Sequence, residues 1–324
     1  MTNLRVLHNG GGWITNIGNA FLDYGSMHSV REANPEAEIF LTSVINRWAS
    51  YHVSKGITGR LTKRPADLSN VFNVQEFANC DYITQSGAFL ASHWFELHGD
   101  TLLRAKERGA KIIFNGGGMT DTTYTEAEIE NTRDWMSKIK PEIFISRDEE
   151  SFKNYHDLSE HSYNGIDVAF FLKNAYDPMG LHLEGHSVLN FDKIKEPMLS
   201  KLHLSENALV VRTHHSLWHN FSLSDYTQMK HEYYNKSNVM ISEIPEDYLN
   251  IYSRAKVTYS DRVHACIATL SYGNPARLFS KTPRAKLFER VGAGNITSEI
   301  VAPDLHKINV EKQKQVKFLA ETMK

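Results

Sequence analysis

Apolar and polar positions change period along this chain. Short apolar runs alternate with longer stretches in which apolar residues recur at helical spacing. In the first half, the runs Arg5 to His8, Ala37 to Leu41, Tyr82 to Gln85, Lys111 to Asn115 and Ile143 to Ser146 predict strands. Helical spacing over Asn19 to Ala33, Trp94 to Arg108, Glu126 to Lys138 and Glu150 to Leu158 predicts helices between and after them. Such alternation predicts an α/β fold with a doubly wound parallel sheet.

A second alternation begins near Ala208. ALVVR predicts a strand, Ser224 to Asn235 a helix, Val239 to Ile241 a strand and Glu246 to Ala255 a helix. VTYS, a helix from Asp261 to Tyr272 and a strand at Ala276 to Phe279 follow. Residues Ala175 to Ser205 carry DPMGLHLEGH and charged, irregular stretches, which read as a hinge. The division expected is a Rossmann-like domain over 1–175 on the acceptor side, a hinge over 176–205 and a second Rossmann-like domain over 206–302 on the donor side. The tail over 303–324 holds a charged helix, Val310 to Met323, expected to cross back onto the first domain. Two Rossmann-like domains facing across a cleft form a GT-B-like arrangement, in which ligands collect at the carboxyl ends of strands.

The chain has 324 residues, 41% of them hydrophobic, enough for two separate cores. A net charge of -2 from 36 basic and 38 acidic side chains argues against a broad nucleic-acid footprint, so an anion must be bound locally. Cys80 and Cys266 have neither CxxC spacing nor a metal-binding setting and read as buried free thiols. The first residues, MTNLRVLHNGGGW, lack the apolar core of a signal peptide, and no segment has the ~20 apolar residues of a membrane span. The expectation is a cytoplasmic protein without a transmembrane segment.

The loops after the strands hold the candidate chemistry. VLHNGGGWITNIGNAF places Gly11, Asn16, Gly18 and Asn19 between a strand and a helix, as a phosphate-cradling turn would, although GxGxxG is poorly matched and a tight turn needing positive φ and close packing explains the glycines better. QSGAFL and FNGGGMTD put Ser86 and Gly117 just after strands, where small residues admit a ligand or another backbone. In FISRDEESF, Arg147 leaves a strand beside three acids; it either sits in a solvated ion pair or grips a carboxylate or phosphate with its fork. THHSLWHN carries His214, His215 and His219, read as neutral cleft histidines rather than a metal site. In VTYSDRVHACIATLSYGNP, Val263, Ile267 and Leu270 form a buried helical stripe with Ser260 or Asp261 as its N-cap. Arg262 and His264 then fall in the first turn, where the helix dipole disfavours cations by roughly 0.3–1 kcal/mol each. Either a bound anion compensates or Arg262 pairs with Asp261.

At these residues the chain resembles the polysaccharide pyruvyl transferase family. The resemblance rests on SRDEES (146–151), GIDVAFFL (165–172) and YSDRVHACIATLSYGNPARLFSKTPRAKLFERVG (259–292), in the family's order after the glycine-rich start, SGAFL and FNGGG. It implies a GT-B-like enzyme that moves a pyruvyl group from phosphoenolpyruvate, a co-substrate, onto a sugar or glycan acceptor as a ketal. Arg147 then matches the arginine of the RDxxS element, Arg262 and His264 the Arg and His of the Arg-Leu-His element, and Lys286 the lysine after the Gly-x-Pro strand. Val263 stands in place of the usual leucine, and Gly18 is followed by Asn19 where many members have an acid.

On this reading Arg147 and Arg262 hold the carboxylate and phosphate of phosphoenolpyruvate, and His264 transfers the proton, with His214 or His215 as substitutes. No cofactor and no metal are called for. The basic stretch Lys55, Arg60, Lys63 and Arg64 is a solvated loop, a lid or a contact for a lipid-linked acceptor. The rivals are a GT-B glycosyltransferase using a nucleotide sugar, with Glu243 as the ribose carboxylate, and a non-catalytic glycan-binding relative.

Overall fold

The computed structural model describes residues 3–13, 15–43, 72–119, 125–183, 185–216 and 235–324. The chain divides into two compact units. The first comprises Met1–Gly12, Ser26–Val168 and Gln313–Lys324, the second Trp13–Gly25 and Ala169–Lys312. The boundaries expected from sequence differ from these: Trp13–Gly25 belongs with the second unit although it lies early in the chain, and so do residues 176–205, expected as a hinge, and 303–312 of the expected tail.

The first unit is built on a six-stranded sheet of β1 (Arg5–Gly10), β2 (Glu38–Ser43), β3 (Tyr82–Gly87), β4 (Lys111–Gly117), β5 (Ile143–Ser146) and β6 (His161–Asn164). Their order is β2-β1-β3-β4-β5-β6, with every neighbouring pair parallel. Alternation along the strands sorts the core onto two faces. Leu7, Ile83, Ile112, Phe114 and Phe144 join Phe95 and Leu102 of α2 (Ser92–Glu107) and Met136 of α3 (Glu126–Ile139). Val6, Tyr82, Ile113, Ile143 and Ile145 pack on the opposite face with Val30 of α1 (Gly18–Ala33) and Leu319 of α8 (Leu305–Thr322). The Tyr82 hydroxyl ties down the chain end by donating to the Lys324 carbonyl at 2.8 Å.

After β5, Asp148 caps α4 (Glu149–Tyr155) by accepting the Ser151 N–H at 2.7 Å. A short helix, α5 (Leu172–Ala175), follows β6 in the second unit.

The second unit holds a five-stranded parallel sheet of β7 (Ser187–Asn190), β8 (Val210–Thr213), β9 (Val239–Met240), β10 (Val257–Ser260) and β11 (Ala276–Leu278). Its order is β11-β10-β7-β8-β9. The central strand, β7, lies inside the stretch that its charged flanks marked as a hinge. SVLN is short, but all four residues are buried between β8 and β10. Helix α6 (Pro245–Tyr252) precedes β10, and α7 (Val263–Ser271) follows it. The predicted helix at Ser224 to Asn235 falls largely, and the basic residues Lys55, Arg60, Lys63 and Arg64 and His219 fall wholly, outside the described residues. Among the described residues no helix is long and apolar enough to cross a membrane.

In an open parallel sheet, a crevice forms where successive crossovers leave in opposite directions. In the first sheet that switch lies between β1 and β3, and in the second between β7 and β10.

Candidate active site

At the switch of the second sheet, β10 ends at Ser260, and Asp261 and Arg262 follow it. The register sets Ser260 beside Asn190, the last residue of β7, and the Ser260 hydroxyl donates to Asn190 Oδ1 at 2.9 Å. Asn190 Nδ2 donates in turn to the Thr213 carbonyl of β8 at 2.7 Å. Three strand ends are thereby fixed in one plane.

Neither Ser260 nor Asp261 caps α7. The N-cap is Arg262, in extended backbone, and its N–H is held by Ser260 Oγ at 2.8 Å. Asp261 instead accepts backbone N–H groups from Asp192, Lys193 and Ile194 at 3.1, 2.6 and 2.9 Å. Burial nevertheless raises its pKa, the three N–H bonds offsetting only part of that cost. Asp261 therefore acts as a staple for the loop after β7.

That loop carries Asp192, which sequence reasoning missed. Its carboxylate is wholly buried and faces three groups. Oδ1 lies 3.0 Å from His214 Nδ1, while Oδ2 accepts the His215 N–H at 3.0 Å and lies 3.2 Å from Arg262 Nε. Burial works to raise its pKa, but the His214 hydrogen bond and the Arg262 charge more than offset it, so the carboxyl stays below its usual range. Arg262 also donates to Ser216 Oγ and keeps only a tenth of its side chain exposed. The anion that compensates Arg262 in the structure is thus Asp192, and the pairing with Asp261 weighed from sequence is not formed.

His264 sits one residue into α7, with 5% of its surface exposed. Its ring lies against the start of α1 in the same unit. A Cβ on residue 18 would come within 2.9 Å of His264 Nδ1 and 3.0 Å of its Cβ, so Gly18 is required there for close approach. Asn16 Oδ1 accepts the Gly18 N–H at 3.1 Å, and the Ile17 N–H donates to the His215 carbonyl at 2.9 Å. Asn16 therefore shapes the helix start. The N-termini of α1 and α7 both meet at His264, and their positive dipole ends add to Arg262.

His215 plays a different part from that expected. It is fully buried, its Nε2 is 2.7 Å from the Tyr252 hydroxyl, and Phe21, Tyr248 and Tyr252 present ring edges or faces to it. Burial drops its pKa from 6.5 to about 3, against the opposing pull of Asp192. It is a neutral packing histidine and not a substrate contact. His214 keeps a sliver of exposed edge beside Asp192.

The remaining sequence candidates fall elsewhere. In the first unit, Arg147 is sealed, with no side-chain exposure. It donates from Nη1 to Asp167 at 2.8 Å and from Nη2 to the Met119 carbonyl at 3.2 Å, so its fork is closed on protein groups rather than open to a ligand. The glycines of FNGGG serve that packing. A Cβ at Gly117 would meet the Phe89 ring at 2.8 Å, and one at Gly118 would meet Arg147 and Asp148. Gly11 adopts a φ of 96° and fits against Ser43, where a Cβ would come within 2.6 Å of the hydroxyl. Ser86 is buried at the end of β3. Lys286 lies exposed on a 3-10 turn, Pro283–Phe288, and Glu243 is exposed in the turn before α6.

The fold is shared with sugar-nucleotide enzymes of GT-B-like architecture that have two Rossmann-like domains. The structure of S. aureus MnaA with UDP matches at a TM-score of 0.56 and 9% identity, covering 99% of this chain and 91% of that one. A UDP-N-acetylglucosamine 2-epimerase matches at 0.52 and 13%, with the same coverage. At these identities the likeness is one of fold alone. No curated protein sequence matches. Residues 16–280 match the polysaccharide pyruvyl transferase family from the α1 start to the strand after α7, and the chain belongs to that family.

Proposed function

We propose that this protein transfers the pyruvyl group of phosphoenolpyruvate to a sugar of a polysaccharide or glycoconjugate, closing a cyclic ketal. The observation that carries this is the donor-rich corner at the β7/β10 switch. Arg262, braced by Asp192 and Ser216, shares it with His264, His214 and the N-termini of α1 and α7. Phosphoenolpyruvate offers a phosphate and a carboxylate. An arginine fork and two helix N-termini are suited to such a pair of anions.

Protonation of the substrate's methylene carbon makes its neighbour an oxocarbenium centre. A sugar hydroxyl attacks that carbon and gives up its proton. The carbon–oxygen bond to phosphate then breaks, inorganic phosphate leaves, and a second hydroxyl closes the ketal with loss of another proton. Arg262 stabilises the leaving charge. His264, held at the helix start, is the group assigned to proton transfer, and the His214–Asp192 pair is a second acid–base couple beside it. The scheme is built on the second unit alone, because Arg147 is occupied by Asp167. It calls for no metal and no bound cofactor.

The test is to incubate the protein with phosphoenolpyruvate and a panel of glycans, following phosphate release and the acceptor's gain in mass. Wild type should release phosphate and pyruvylate an acceptor, and Arg262→Ala and His264→Ala should not. Release of a nucleoside diphosphate from sugar nucleotides in place of phosphate would replace this reading with the glycosyltransferase one. Sugar binding with no turnover of either donor would favour a non-catalytic relative.

A further inference from the structure

The helix before β10 turns two tyrosines, one turn apart, onto the chain that leaves β8, and the proposed reaction uses neither. Tyr248 and Tyr252 of α6 are wholly buried. The Tyr252 hydroxyl reaches two side chains, at 2.9 Å from Thr213 Oγ1 and 2.7 Å from His215 Nε2. The Tyr248 hydroxyl reaches backbone. It accepts the Ser242 N–H at 3.2 Å, and its single proton serves the His214 carbonyl at 2.8 Å and the Ser242 carbonyl at 2.9 Å. Burial raises its pKa above the usual 10, so it remains a donor at any pH the reaction would use.

The carbonyl of His214 and the N–H of His215 belong to one peptide group and point in opposite directions from it. Tyr248 holds the carbonyl and Asp192 Oδ2 holds the N–H at 3.0 Å, so that peptide plane is pinned across its width. The same carboxylate orients the His214 ring, with Oδ1 3.0 Å from Nδ1. An ionised carboxylate can only accept, so Nδ1 of His214 carries a proton, which leaves Nε2 as the nitrogen that exchanges one with substrate. A phenylalanine at 248 would fill the same space and leave the peptide free to rotate. Rotation takes the N–H off Oδ2, and the carboxylate then turns and carries the His214 ring with it. Arg262 is affected less, because Ser216 braces it as well.

We propose that Tyr248 is a positioning residue for the His214–Asp192 couple, acting through the peptide between His214 and His215. Its effect on turnover rests on the pyruvyl-transfer reading, while its hold on the His214 ring does not.

The test compares Tyr248→Phe with Tyr252→Phe in the full chain, since each removes one buried hydroxyl and keeps the ring. Both should lower the melting temperature, which makes Tyr252→Phe the control for lost stability alone. Imidazole nitrogen NMR on histidine-labelled protein, with the two rings assigned by His214→Gln and His215→Gln, reads their state directly. Tyr248→Phe should move the His214 signals toward those of a ring exchanging between tautomers, and Tyr252→Phe should move only those of His215. In steady-state phosphate release, Tyr248→Phe should lower kcat about tenfold with KM for phosphoenolpyruvate held within about twofold, and Tyr252→Phe should leave both within about twofold. His214 signals unchanged in Tyr248→Phe, or moved equally by both substitutions, would overturn the proposal, as would equal losses of kcat in the two. His214 signals moved by Tyr248→Phe alone, in a protein that never turns over phosphoenolpyruvate, would uphold the positioning and reject the reaction.

Discussion

Replacing Asp192 by Asn tests the electrostatic construction of the corner, because it removes one charge and almost no volume. The buried carboxylate serves His214, the His215 N–H and Arg262 at once. Asn offers one acceptor and one NH2 donor, so at least one of these donors is left facing another donor. Arg262 is left without its counter-charge. Removing one partner of a buried ion pair costs about 3–5 kcal/mol, and the lower end applies here because Arg262 retains a tenth of its side chain in solvent. At about 2–4 °C per kcal/mol for a unit of this size, the melting temperature at neutral pH should fall by roughly 6–12 °C.

The pH dependence gives an internal control. Asp192 has a folded pKa below its usual 3.8, so it contributes stability above that value and loses it as pH falls through the folded pKa. Below that point the wild-type carboxyl is neutral, as Asn is, and the two proteins should converge. Urea unfolding of both proteins from neutral pH to below 3.8 measures the gap. Inorganic phosphate should also raise the melting temperature of the variant more than that of wild type, since an anion can take the place of the missing carboxylate. Equal stability at neutral pH, or a gap that stays constant on acidification, would refute the construction.

Three further outcomes follow from the same geometry. Gly18→Ala should displace the His264 ring, because its Cβ would sit 2.9 Å from Nδ1 and 3.0 Å from the His264 Cβ; we expect kcat to drop about a hundredfold and the melting temperature to fall as well, by the roughly 1–3 kcal/mol of an overpacked contact. Arg262→Lys keeps the charge but loses the fork that reaches Asp192 and Ser216, so KM for phosphoenolpyruvate should rise about ten- to a hundredfold, read from steady-state phosphate release. His215 is buried and His98 half-buried, with pKa values lowered by desolvation to about 3 and about 4, so unfolding takes up protons that the folded state refuses. Stability should therefore decline as pH drops below 6.5, and His215→Gln should flatten that limb; an unchanged slope in calorimetry would contradict the burial assigned to it.

Local pattern was enough for much of the fold. The apolar runs at Tyr82 and Ile143 mark β3 and β5 because each is buried on both faces, and Val263, Ile267 and Leu270 mark α7 by their helical spacing, although the structure buries all nine residues of that helix. Arg262 and His264 stand out in the same way, as polar residues between two buried segments. The role of Asp192 was not legible. SVLN is four residues long between charged flanks, too short for periodicity to separate a central strand from a hinge.

Pairings over long separations depend on strand order. Asp192 and Asp261 are equally acidic to a sequence reader, and Asp261 is adjacent to Arg262. The β7/β10 register nevertheless turns Asp261 toward the backbone of residues 192–194 and brings Asp192 to the guanidinium seventy positions along the chain. Likewise, His214 and His215 are neighbours of one composition, yet alternation buries one among tyrosines and leaves the other at the edge. Gly18 lies near the N-terminus and still packs in the second unit against His264. Sequence by itself determined which segments are strands and helices and which residues carry charge, since those follow from short-range sterics and burial. Tertiary structure decided which charge meets which, because the crossovers between parallel strands set that geometry and no local pattern encodes it.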